Sequence, residues 1–396
     1  MSDLSNYSPV FSLLNHKKIL QVLPSLTQGG VEKGSLEIAE AIIAAGGKAF
    51  VASSGGPMVS ELEHLGGIHL SLPLNSKNPL MLMLNSYRLK KLIQEHSIDL
   101  IHARSRAPAW SAFWAARLEN IPFITTFHGT YNYHTFPKKY YNSIMARGAR
   151  VIAISDFIHE HILRHYRSYV EPVHIQTIPR GADLSFFNAS DTSLKTRVQD
   201  LRKNWEIDDA SPLLLLPARL TRWKGQAIAL RAISLLRDFK GLLILLGSDK
   251  DHQAYTQELR ALAQNLGISN RVRIISHCSD MPAAYALADL VLHTSTDPEA
   301  FGRIIAEAQA MGRCVIATNH GAPPEIIEEA VTGFLTQPGD CEELARKIKD
   351  FLMLPLSHKK QIGQKAVERM RYFFSKDQMV EKTLAIYTEL LTEKVK

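Results

Sequence analysis

Residues 289–319, DLVLHTSTDPEAFGRIIAEAQAMGRCVIATN, combine two apolar runs with a helical pattern between them. The runs DLVLHTS and VIATN are typical of buried strands. The segment between them has apolar residues at helical spacing and ends at Gly312, a residue that commonly follows a helix. A strand, a helix and a second strand in this order predict a parallel pair joined by a crossover helix, and therefore an α/β fold.

Two glutamates flank the start of this helix. Glu299 lies in the loop, and Glu307 follows eight residues later inside the helical pattern. At about 100° per residue the two positions differ by roughly 80° around the axis, so they could bind one elongated ligand at two heights. The amides of Phe301, Gly302 and Arg303 at the helix start predict an anion site. Two solvated helix charges are the alternative interpretation.

The same alternation of strands and helices extends over the chain in two blocks. The first block has the strand patterns KILQVLP, AFVASS, IHLSLP, DLIHA, FITTF and VIAIS, and the second has LLLLPAR, LLILLG, VRIIS, DLVLHTS and VIATN. Helical patterns cover residues 31–45, 85–96, 226–237, 254–265, 342–352 and 375–392. We predict two Rossmann-like domains with doubly wound parallel sheets. The turn-rich passage IPRGADLSFFNAS lies between the blocks, and we place the boundary after residue 186.

Composition limits the class of protein. The 396 residues, 45% of them hydrophobic, suffice for two domains with their own cores. The net charge of +7 favours an anionic partner such as nucleic acid, a membrane surface or a phosphorylated substrate, although scattered surface lysines give the same value. Cys278, Cys314 and Cys341 are unclustered and odd in number, so they indicate neither a disulfide framework nor a zinc site. A reducing cytosol fits these cysteines. We see no signal peptide and no apolar run of the roughly 18 residues that a membrane span requires.

Two cations follow the strand pattern in LLLLPARLTRWKGQ. Arg219 ends the pattern and Lys224 lies five residues later. Ligands of open α/β sheets bind at this carboxyl edge. Two cations there could neutralise a diphosphate and stabilise it further as it departs. A pair of solvated loop cations is the alternative interpretation.

Two further loops follow predicted strands. In SLTQGGVEKGS, Gly29 and Gly30 open a helical pattern, where glycines permit close approach of a ligand to the backbone. In TTFHGTYN, His128 follows a strand pattern. A tight turn explains the glycines equally well, and a lone histidine is more often a core or surface residue than a catalytic one.

Asp249 and Asp251, in GSDKDH, form a D-x-D pattern that can chelate a divalent cation. Their place between a strand and a helix favours a helix N-cap cluster instead. Because Arg219 and Lys224 already supply positive charge, we predict a protein that needs no metal and no other cofactor.

Four separated motifs resemble the retaining glycosyltransferases of family 4. They are the glycine loop at Gly29, the R-L-x-x-x-K-G pattern of Arg219 and Lys224, the E-x7-E segment, and the HGAPPE turn that contains Gly321. The resemblance covers nearly the full chain. It implies a GT-B fold, in which two Rossmann-like domains (1–186 for the acceptor and 187–374 for the nucleotide sugar) face each other across a cleft. The last helix, 375–396, is then expected to pack back on the first domain.

The resemblance also implies roles for individual residues. Glu299 would bind sugar hydroxyls, Glu307 ribose hydroxyls, and His128 a sugar hydroxyl. Arg219 and Lys224 would hold the pyrophosphate. The remaining residues expected at the donor are Gly29, Gly30, Phe301, Gly302, Arg303, Gly321 and Cys278, the last in the segment that resembles the nucleobase site. Arg180 and His277 depart from the family pattern, and we assign Arg180 no role.

Basic and aromatic residues alternate in two segments of the first domain. They are Arg104 and Arg106 in HARSRAPAW, and Lys138, Lys139, Tyr140, Tyr141 and Arg147 in FPKKYYNSIMARG. Such a mixture suits an acceptor-binding or membrane face with anionic headgroups. It also suits single-stranded nucleic acid, and a solvated helix face is the third interpretation.

The expected function is retaining, metal-independent transfer of a sugar from a nucleotide diphosphate sugar to a glycan or lipid-linked acceptor. We favour a UDP-sugar over a GDP-sugar, and synthesis of lipopolysaccharide core or another cell-envelope glycan. The protein is expected in the cytoplasm, at the anionic inner face of the membrane, with no nucleic-acid partner. A nucleotide-sugar epimerase of the same fold and a basic nucleic-acid-binding protein are the alternatives.

Overall fold

The computed structural model describes residues 14–27, 29–131, 133–207, 211–248 and 253–393. The chain divides into two compact units. The first consists of Met1–Pro179 together with Asp377–Lys396, and the second is Arg180–Lys376.

The first unit is built on a seven-stranded sheet in which every pair of neighbours is parallel. Its strands are β1 (Lys18–Val22), β2 (Lys48–Ser53), β3 (Ile68–Ser71), β4 (Leu100–Ala103), β5 (Phe123–Phe127), β6 (Arg150–Ala153) and β7 (Ile175–Thr177), in the spatial order β3-β2-β1-β4-β5-β6-β7. Its helices are α1 (Gly30–Ala44), α2 (Val59–His64), α3 (Pro79–His96), α4 (Arg106–Leu118), α5 (Phe136–Asn142) and α6 (Asp156–Tyr166).

The second unit contains a six-stranded parallel sheet in the order β10-β9-β8-β11-β12-β13. Its strands are β8 (Leu213–Pro217), β9 (Leu242–Leu246), β10 (Val272–Ile275), β11 (Leu290–His293), β12 (Val315–Thr318) and β13 (Phe334–Thr336). Its helices are α7 (Leu194–Asn204), α8 (Gln226–Leu235), α9 (Gln253–Asn265), α10 (Met281–Leu287), α11 (Arg303–Ala310), α12 (Pro323–Ile326), α13 (Cys341–Met353) and α14 (Leu356–Phe373).

The central strands are apolar along their whole length because helices cover both faces of a doubly wound sheet. All five residues of β8 and all five of β5 are buried. Each unit has its own hydrophobic core of strand and helix side chains. Each fully buried Leu or Ile contributes about 1.5–3 kcal/mol relative to exposure. The predicted α/β class with two parallel sheets is confirmed.

The last helix, α15 (Lys376–Glu393), belongs to the first unit and contributes to its hydrophobic core. Tyr387 lies in the core of that unit, where its hydroxyl is 2.6 Å from Nδ1 of His102 on β4. The other ring nitrogen of His102 lies 2.7 Å from Oγ1 of Thr126 on β5. Burial lowers the pKa of His102 well below its usual value, so this histidine is neutral. Its two hydrogen bonds connect β4 to the last helix and to β5.

The division between the units falls at Pro179, earlier in the chain than the predicted residue 186. The physical reason is a short backbone pairing inside the second unit. The Ala182 amide donates to the Phe374 carbonyl at 2.8 Å, and the Lys376 amide donates to the Ala182 carbonyl at 2.8 Å. A side chain at Gly181 would meet the backbone of Ser375 at 2.2 Å, which explains the glycine there.

Two short strands and the start of one helix differ from the sequence patterns. The strands β7 and β13 have three residues each, too few to show a period. Helix α3 begins at Pro79 rather than at residue 85, because Asn78 caps it by accepting a hydrogen bond from the Leu80 amide at 2.9 Å. No helix in the described part of the chain combines the length and apolarity needed to cross a bilayer.

Candidate functional site

The predicted donor residues of the second unit gather at the carboxyl edge of its sheet. Strands β8 and β11 are parallel neighbours there, so the loops that follow them lie side by side. Arg219 follows β8, and Lys224 ends a short 3-10 turn, Arg222–Lys224, before α8. Glu299 lies in the loop between β11 and α11. The structure therefore brings Lys224 and Glu299 together from positions 75 residues apart.

Lys224 and Glu299 form a largely buried ion pair with two further partners. The Lys224 Nζ donates to Oε2 of Glu299 at 2.6 Å, with side-chain exposures of 11% and 17%. The His293 ring nitrogen Nε2 lies 3.2 Å from the same oxygen, and Ser295 Oγ donates to it at 3.2 Å. One carboxylate oxygen thus has three polar contacts, which fixes the orientation of Glu299.

This environment keeps Glu299 ionised. Burial by itself raises the pKa of a carboxyl, but the hydrogen bond and attraction of His293 and the ammonium of Lys224 oppose that effect. The net result lowers the pKa of Glu299 from 4.5 to about 2. Glu299 can therefore accept hydrogen bonds from sugar hydroxyls at any physiological pH.

Backbone contacts hold the Glu299 loop against the turn after β12. The Glu299 amide donates to the His320 carbonyl at 3.3 Å, and the Ala322 amide donates to the Glu299 carbonyl at 2.9 Å. Gly321 has a φ of +87°, and a Cβ atom there would lie 2.3 Å from the backbone carbonyl oxygen of Glu299. Gly321, predicted beside the donor, thus allows the close approach of its turn to Glu299.

Arg219 differs from Lys224 in its surroundings. Its side chain is exposed, and it forms no ion pair with any residue that the structure describes. Its carbonyl accepts a hydrogen bond from Nε2 of Gln226, the first residue of α8, at 2.9 Å, which fixes the backbone at Arg219. Arg219 therefore presents an exposed guanidinium from a fixed backbone, whereas the Lys224 ammonium is held by Glu299.

Glu307 has a separate set of partners on α11. The Tyr285 hydroxyl donates to Oε2 of Glu307 at 3.0 Å, and Arg303 lies 3.5 Å from its other oxygen. Burial and the adjacent carboxylate raise the pKa of Tyr285 well above its usual value, so the hydroxyl remains a donor. The helix begins at Arg303 after Gly302, whose φ is +97°. The buried side chain of Phe301 precedes this turn.

The last predicted donor-site residue of this unit is Cys278. Cys278 follows β10, and its thiol donates to the Asp280 carbonyl at 3.3 Å. Burial raises the pKa of this thiol, so it is not a thiolate. His277 beside it is exposed, and Arg180 is buried in the second unit.

In the first unit, Gly29 and Gly30 stand at the start of α1, as the pattern predicts. His128 follows β5 directly and is half-buried. The His128 amide donates a hydrogen bond to the Tyr131 side-chain oxygen, and the Arg106 guanidinium lies 4.5 Å from the Tyr131 ring centroid. The structure therefore links Arg106 to the His128 loop.

The structure corrects one part of the basic surface expected in the first unit. Arg104 is 5% exposed, and its guanidinium donates to Oε1 of Gln21 at 2.9 Å and to the Gly34 carbonyl at 3.3 Å. The hydrogen bonds of this arginine connect β1 to α1. It does not reach a surface where a membrane or a large acceptor could contact it.

The basic residues of the segment FPKKYYNSIMARG lie at or near the surface. Lys138 and Tyr140 on α5 are exposed, and Lys139 is half-buried. Arg147 is half-buried, with its guanidinium 4.7 Å from the Tyr169 ring and 5.6 Å from the Tyr140 ring. These cation–π contacts arrange the aromatic residues around a positive charge.

No group of three or more His, Cys, Asp or Glu side chains in the described ranges is arranged to hold a metal ion. Asp249 and Asp251 lie outside the described residues, so their predicted N-cap role stays a prediction. Metal independence stays a prediction.

Sequence patterns did not identify His293, Ser295 and Tyr285 as site residues. His293 and Ser295 end the pattern DLVLHTS, where polar residues interrupt an apolar strand six and four residues before Glu299. That interruption is the available signal. Tyr285 lies in the apolar pattern of α10 and gave no signal.

Comparison with known proteins identifies relatives over most of the chain. Residues 198–369 match the model described as Glycosyl transferases group 1, and residues 28–186 match the model described as Glycosyltransferase Family 4. A glycosyltransferase from Rickettsia africae ESF-5 is 36% identical, with a TM-score of 0.89 over 95% of this chain and 99% of that one. The Anabaena protein Alr3699/HepE, solved in complex with UDP-glucose, is 26% identical, with a TM-score of 0.80 over 94% and 100% of the two chains. N-acetyl-alpha-D-glucosaminyl L-malate synthase of Bacillus anthracis is 24% identical over 77% of this chain and 78% of that protein.

Proposed function

Because this chain belongs to family 4 of the glycosyltransferases and has their GT-B fold, we propose that it transfers a sugar, with retention of configuration, from a UDP-sugar to a glycan or lipid-linked acceptor. The protein is a glycosyltransferase of the GT-B type. The donor, the stereochemistry and the acceptor are the parts that we propose.

The observation that carries the proposal is the contact between Lys224 and Glu299. A cation suited to a diphosphate lies 2.6 Å from a carboxylate suited to sugar hydroxyls. A sugar diphosphate carries its phosphate and its hydroxyl groups on neighbouring ring carbons. One ligand can therefore contact Lys224 through the diphosphate and Glu299 through the sugar hydroxyls. Arg219 supplies a second cation at the same edge of the sheet.

The proposed mechanism follows from the charges. The bond between the anomeric carbon and the β-phosphate oxygen breaks, and the acceptor oxygen bonds to the same face of that carbon. The acceptor proton passes to the departing phosphate oxygen, and Lys224 and Arg219 stabilise the negative charge that develops there. Glu299, ionised and held by three contacts, binds the sugar hydroxyls. These roles require no metal ion.

The preference for a UDP-sugar is supported by one relative. The Anabaena protein was solved with UDP and with UDP-glucose. The segment after β10, with Cys278 and the exposed His277, is our proposed nucleobase site, and Glu307 our proposed ribose site. Cys278 lies in the loop after β10, and Glu307 lies on α11, the helix that follows β11 of the same sheet.

We further propose that the acceptor is lipid-linked, as in lipopolysaccharide core or another cell-envelope glycan, and that the first unit docks on an anionic membrane. Lys138 and Tyr140 on α5 support this, together with the net charge of +7. Helix α3 adds an apolar stripe of exposed side chains at positions i, i+3, i+4 and i+7: Leu80, Met83, Leu84 and Tyr87. Helix α4 lies against both, through the Ser111–Leu82 hydrogen bond and the Trp110–Tyr140 ring pair.

A thermal-shift screen over UDP-, GDP- and ADP-sugars tests the donor, since a ligand that binds the native state raises its apparent stability. The UDP-sugar that gives the largest shift then enters a transfer assay with and without EDTA. We expect transfer in both conditions, with an α-configured donor giving an α-linked product. Release of a free epimer without transfer would indicate an epimerase instead. Salt-sensitive binding of nucleic acid, with indifference to every nucleotide sugar, would indicate a nucleic-acid binder.

A further inference from the structure

Lys224 has two partners in the proposed reaction. It contacts Glu299 in the structure, and it binds the diphosphate in the proposed function. As the leaving diphosphate gains negative charge, it attracts Lys224 more strongly. The attraction between Lys224 and Glu299 then becomes weaker by comparison. Glu299 is 17% exposed and needs another donor at that moment, because an unpaired buried carboxylate is unfavourable.

We propose that His293 is a positioning residue that holds the Glu299 carboxylate ionised and in place while Lys224 engages the diphosphate. The inference rests on the proposed function and names a residue that acts through Glu299. His293 ends β11, a central strand that pairs with β12 through His293 and Ala317. Its side chain is 2% exposed, so the ring cannot follow a ligand as a flexible lysine can.

The hydrogen bonding of His293 is directed at Glu299. Its Nε2 lies 3.2 Å from Glu299 Oε2 and 3.3 Å from Ser295 Oγ. A carboxylate only accepts hydrogen bonds, so the proton is assigned to Nε2. The other ring nitrogen, Nδ1, is buried and has no hydrogen-bond partner among the described residues. The ring is therefore held by its contacts with Glu299 and Ser295 and not by a second hydrogen bond.

The charged groups around Glu299 come from three elements. Lys224 approaches from the turn after β8, and His293 from the end of β11. His320, after β12, lies with its Nδ1 3.3 Å from the Thr296 carbonyl, and Arg219 is exposed. When Lys224 turns to the diphosphate, His293 and Ser295 are the described side chains that remain on the carboxylate. Without His293, burial raises the pKa of Glu299, and a protonated carboxyl loses acceptor capacity for sugar hydroxyls.

The test compares His293→Phe, which keeps a ring without nitrogens, with His293→Gln, whose amide can donate to Glu299. The carboxyl carbon of Glu299 is labelled with ¹³C and assigned by its absence in Glu299→Gln. In the wild type we expect no titration of this resonance between neutral pH and pH 4.5, the ordinary pKa of a glutamate. In the donor-free protein Lys224 still contacts Glu299 and lowers its pKa, so this titration is compared in a Lys224→Met background, which lacks the ammonium. In that background His293→Phe should let the resonance titrate within that range, and His293→Gln should restore in part the behaviour seen with His293.

Transfer from UDP-glucose gives a second readout. His293→Phe should lower kcat by about tenfold or more, with a larger loss at acid pH, while the affinity for free UDP stays unchanged. His293→Gln should recover most of that loss. If circular dichroism shows that His293→Phe does not fold, His293→Leu takes its place in both comparisons.

Two outcomes would overturn the proposal: a Glu299 resonance that stays untitrated in the apolar variant, or a Gln variant that behaves like the Phe variant in both readouts. The resonance is recorded without donor. A failure of this inference is therefore distinguishable from a failure of the proposed sugar transfer, which would appear as wild-type protein that binds no nucleotide sugar.

Discussion

The backbone of Gly225 touches that of Thr294: a Cβ atom at residue 225 would lie 1.8 Å from the Thr294 carbonyl oxygen. Gly225 follows Lys224 directly, and Thr294 follows His293. The Thr294 hydroxyl donates to the Lys224 carbonyl at 3.0 Å, and the Thr296 amide donates to the Trp223 carbonyl at 2.7 Å. The two loops that carry the site are thus packed backbone against backbone, which fixes the origin of the Lys224 side chain relative to Glu299.

Gly225→Ala should destabilise the protein by more than about 1 kcal/mol, because it adds strain and a backbone clash. Gly267→Ala is the matched control: its φ of +68° is close to the +70° of Gly225, but a Cβ atom there meets nothing within 4 Å. Urea unfolding of both variants isolates the contact with Thr294. We expect the Gly225 variant to lose transfer activity as well, whereas equal effects of the two substitutions would contradict the role of the contact.

Glu299→Gln should reduce sugar transfer by at least about a hundredfold, while free UDP binds as in the wild type. The reason is that the amide removes the negative charge near the sugar and leaves the proposed phosphate and ribose contacts in place. Calorimetry with UDP and a transfer assay measure the two quantities. Glu258→Gln is the control, since Glu258 forms an ion pair of the same 2.6 Å length with Arg222 at an exposed site. Wild-type turnover in Glu299→Gln would contradict the donor-site assignment.

Lys224→Ala and Arg219→Ala should have different effects on the stability of the protein but similar effects on its kinetics. Loss of Lys224 leaves Glu299 largely buried with fewer partners and should destabilise the protein by about 3 kcal/mol, whereas loss of the exposed Arg219 should change stability by less than about 0.5 kcal/mol. Both should lower kcat more than donor affinity, because the charge on the leaving group grows in the transition state. Arg222→Ala, on the same turn and 70% exposed, is the kinetic control. A change in affinity without a change in kcat would contradict this role.

The acid stability of the protein should depend on Glu299. Its pKa is about 2 in the folded protein and 4.5 in an unfolded chain, so the folded state binds the proton less tightly. The resulting stabilisation, about 3 kcal/mol, is complete above pH 4.5 and is lost as the pH falls toward 2. Glu299→Gln lacks this contribution. Urea unfolding at a series of pH values should therefore show the two proteins converging in acid, and parallel curves would exclude the effect.

Membrane docking of the first unit should depend on both charge and apolar surface. Wild-type protein should float with phosphatidylglycerol vesicles at low salt, and salt should release it, since each cation near an anionic surface contributes about 1 kcal/mol. Lys138→Glu with Lys139→Glu should weaken binding, and so should Leu84→Gln in α3. Lys240→Glu, in the second unit, is the charge control. Wild-type protein that stays unbound at low salt would indicate a soluble acceptor.

The sequence by itself determined the fold class and most of its elements. Apolar runs such as residues 213–217 and 123–127 are strands in the structure because hydrophobic periodicity is a local property that the doubly wound sheet preserves. The sequence also predicted the edge of the sheet where Arg219, Lys224 and Glu299 lie. Parallel strands end at the same edge, so residues that follow different strands become neighbours without further information.

Only the tertiary structure decided which of these residues touch. The Lys224–Glu299 pair joins positions 75 residues apart, and the Arg104–Gln21 bond joins positions 83 residues apart. No local pattern encodes such pairs, because each depends on how two loops or elements pack. The same packing buried Arg104, which the sequence pattern placed on a surface, and brought His293 to Glu299 from the end of an apolar strand. Sequence determined the elements and their order, whereas the burial and partners of each charged side chain arose from the approach of segments distant in the chain.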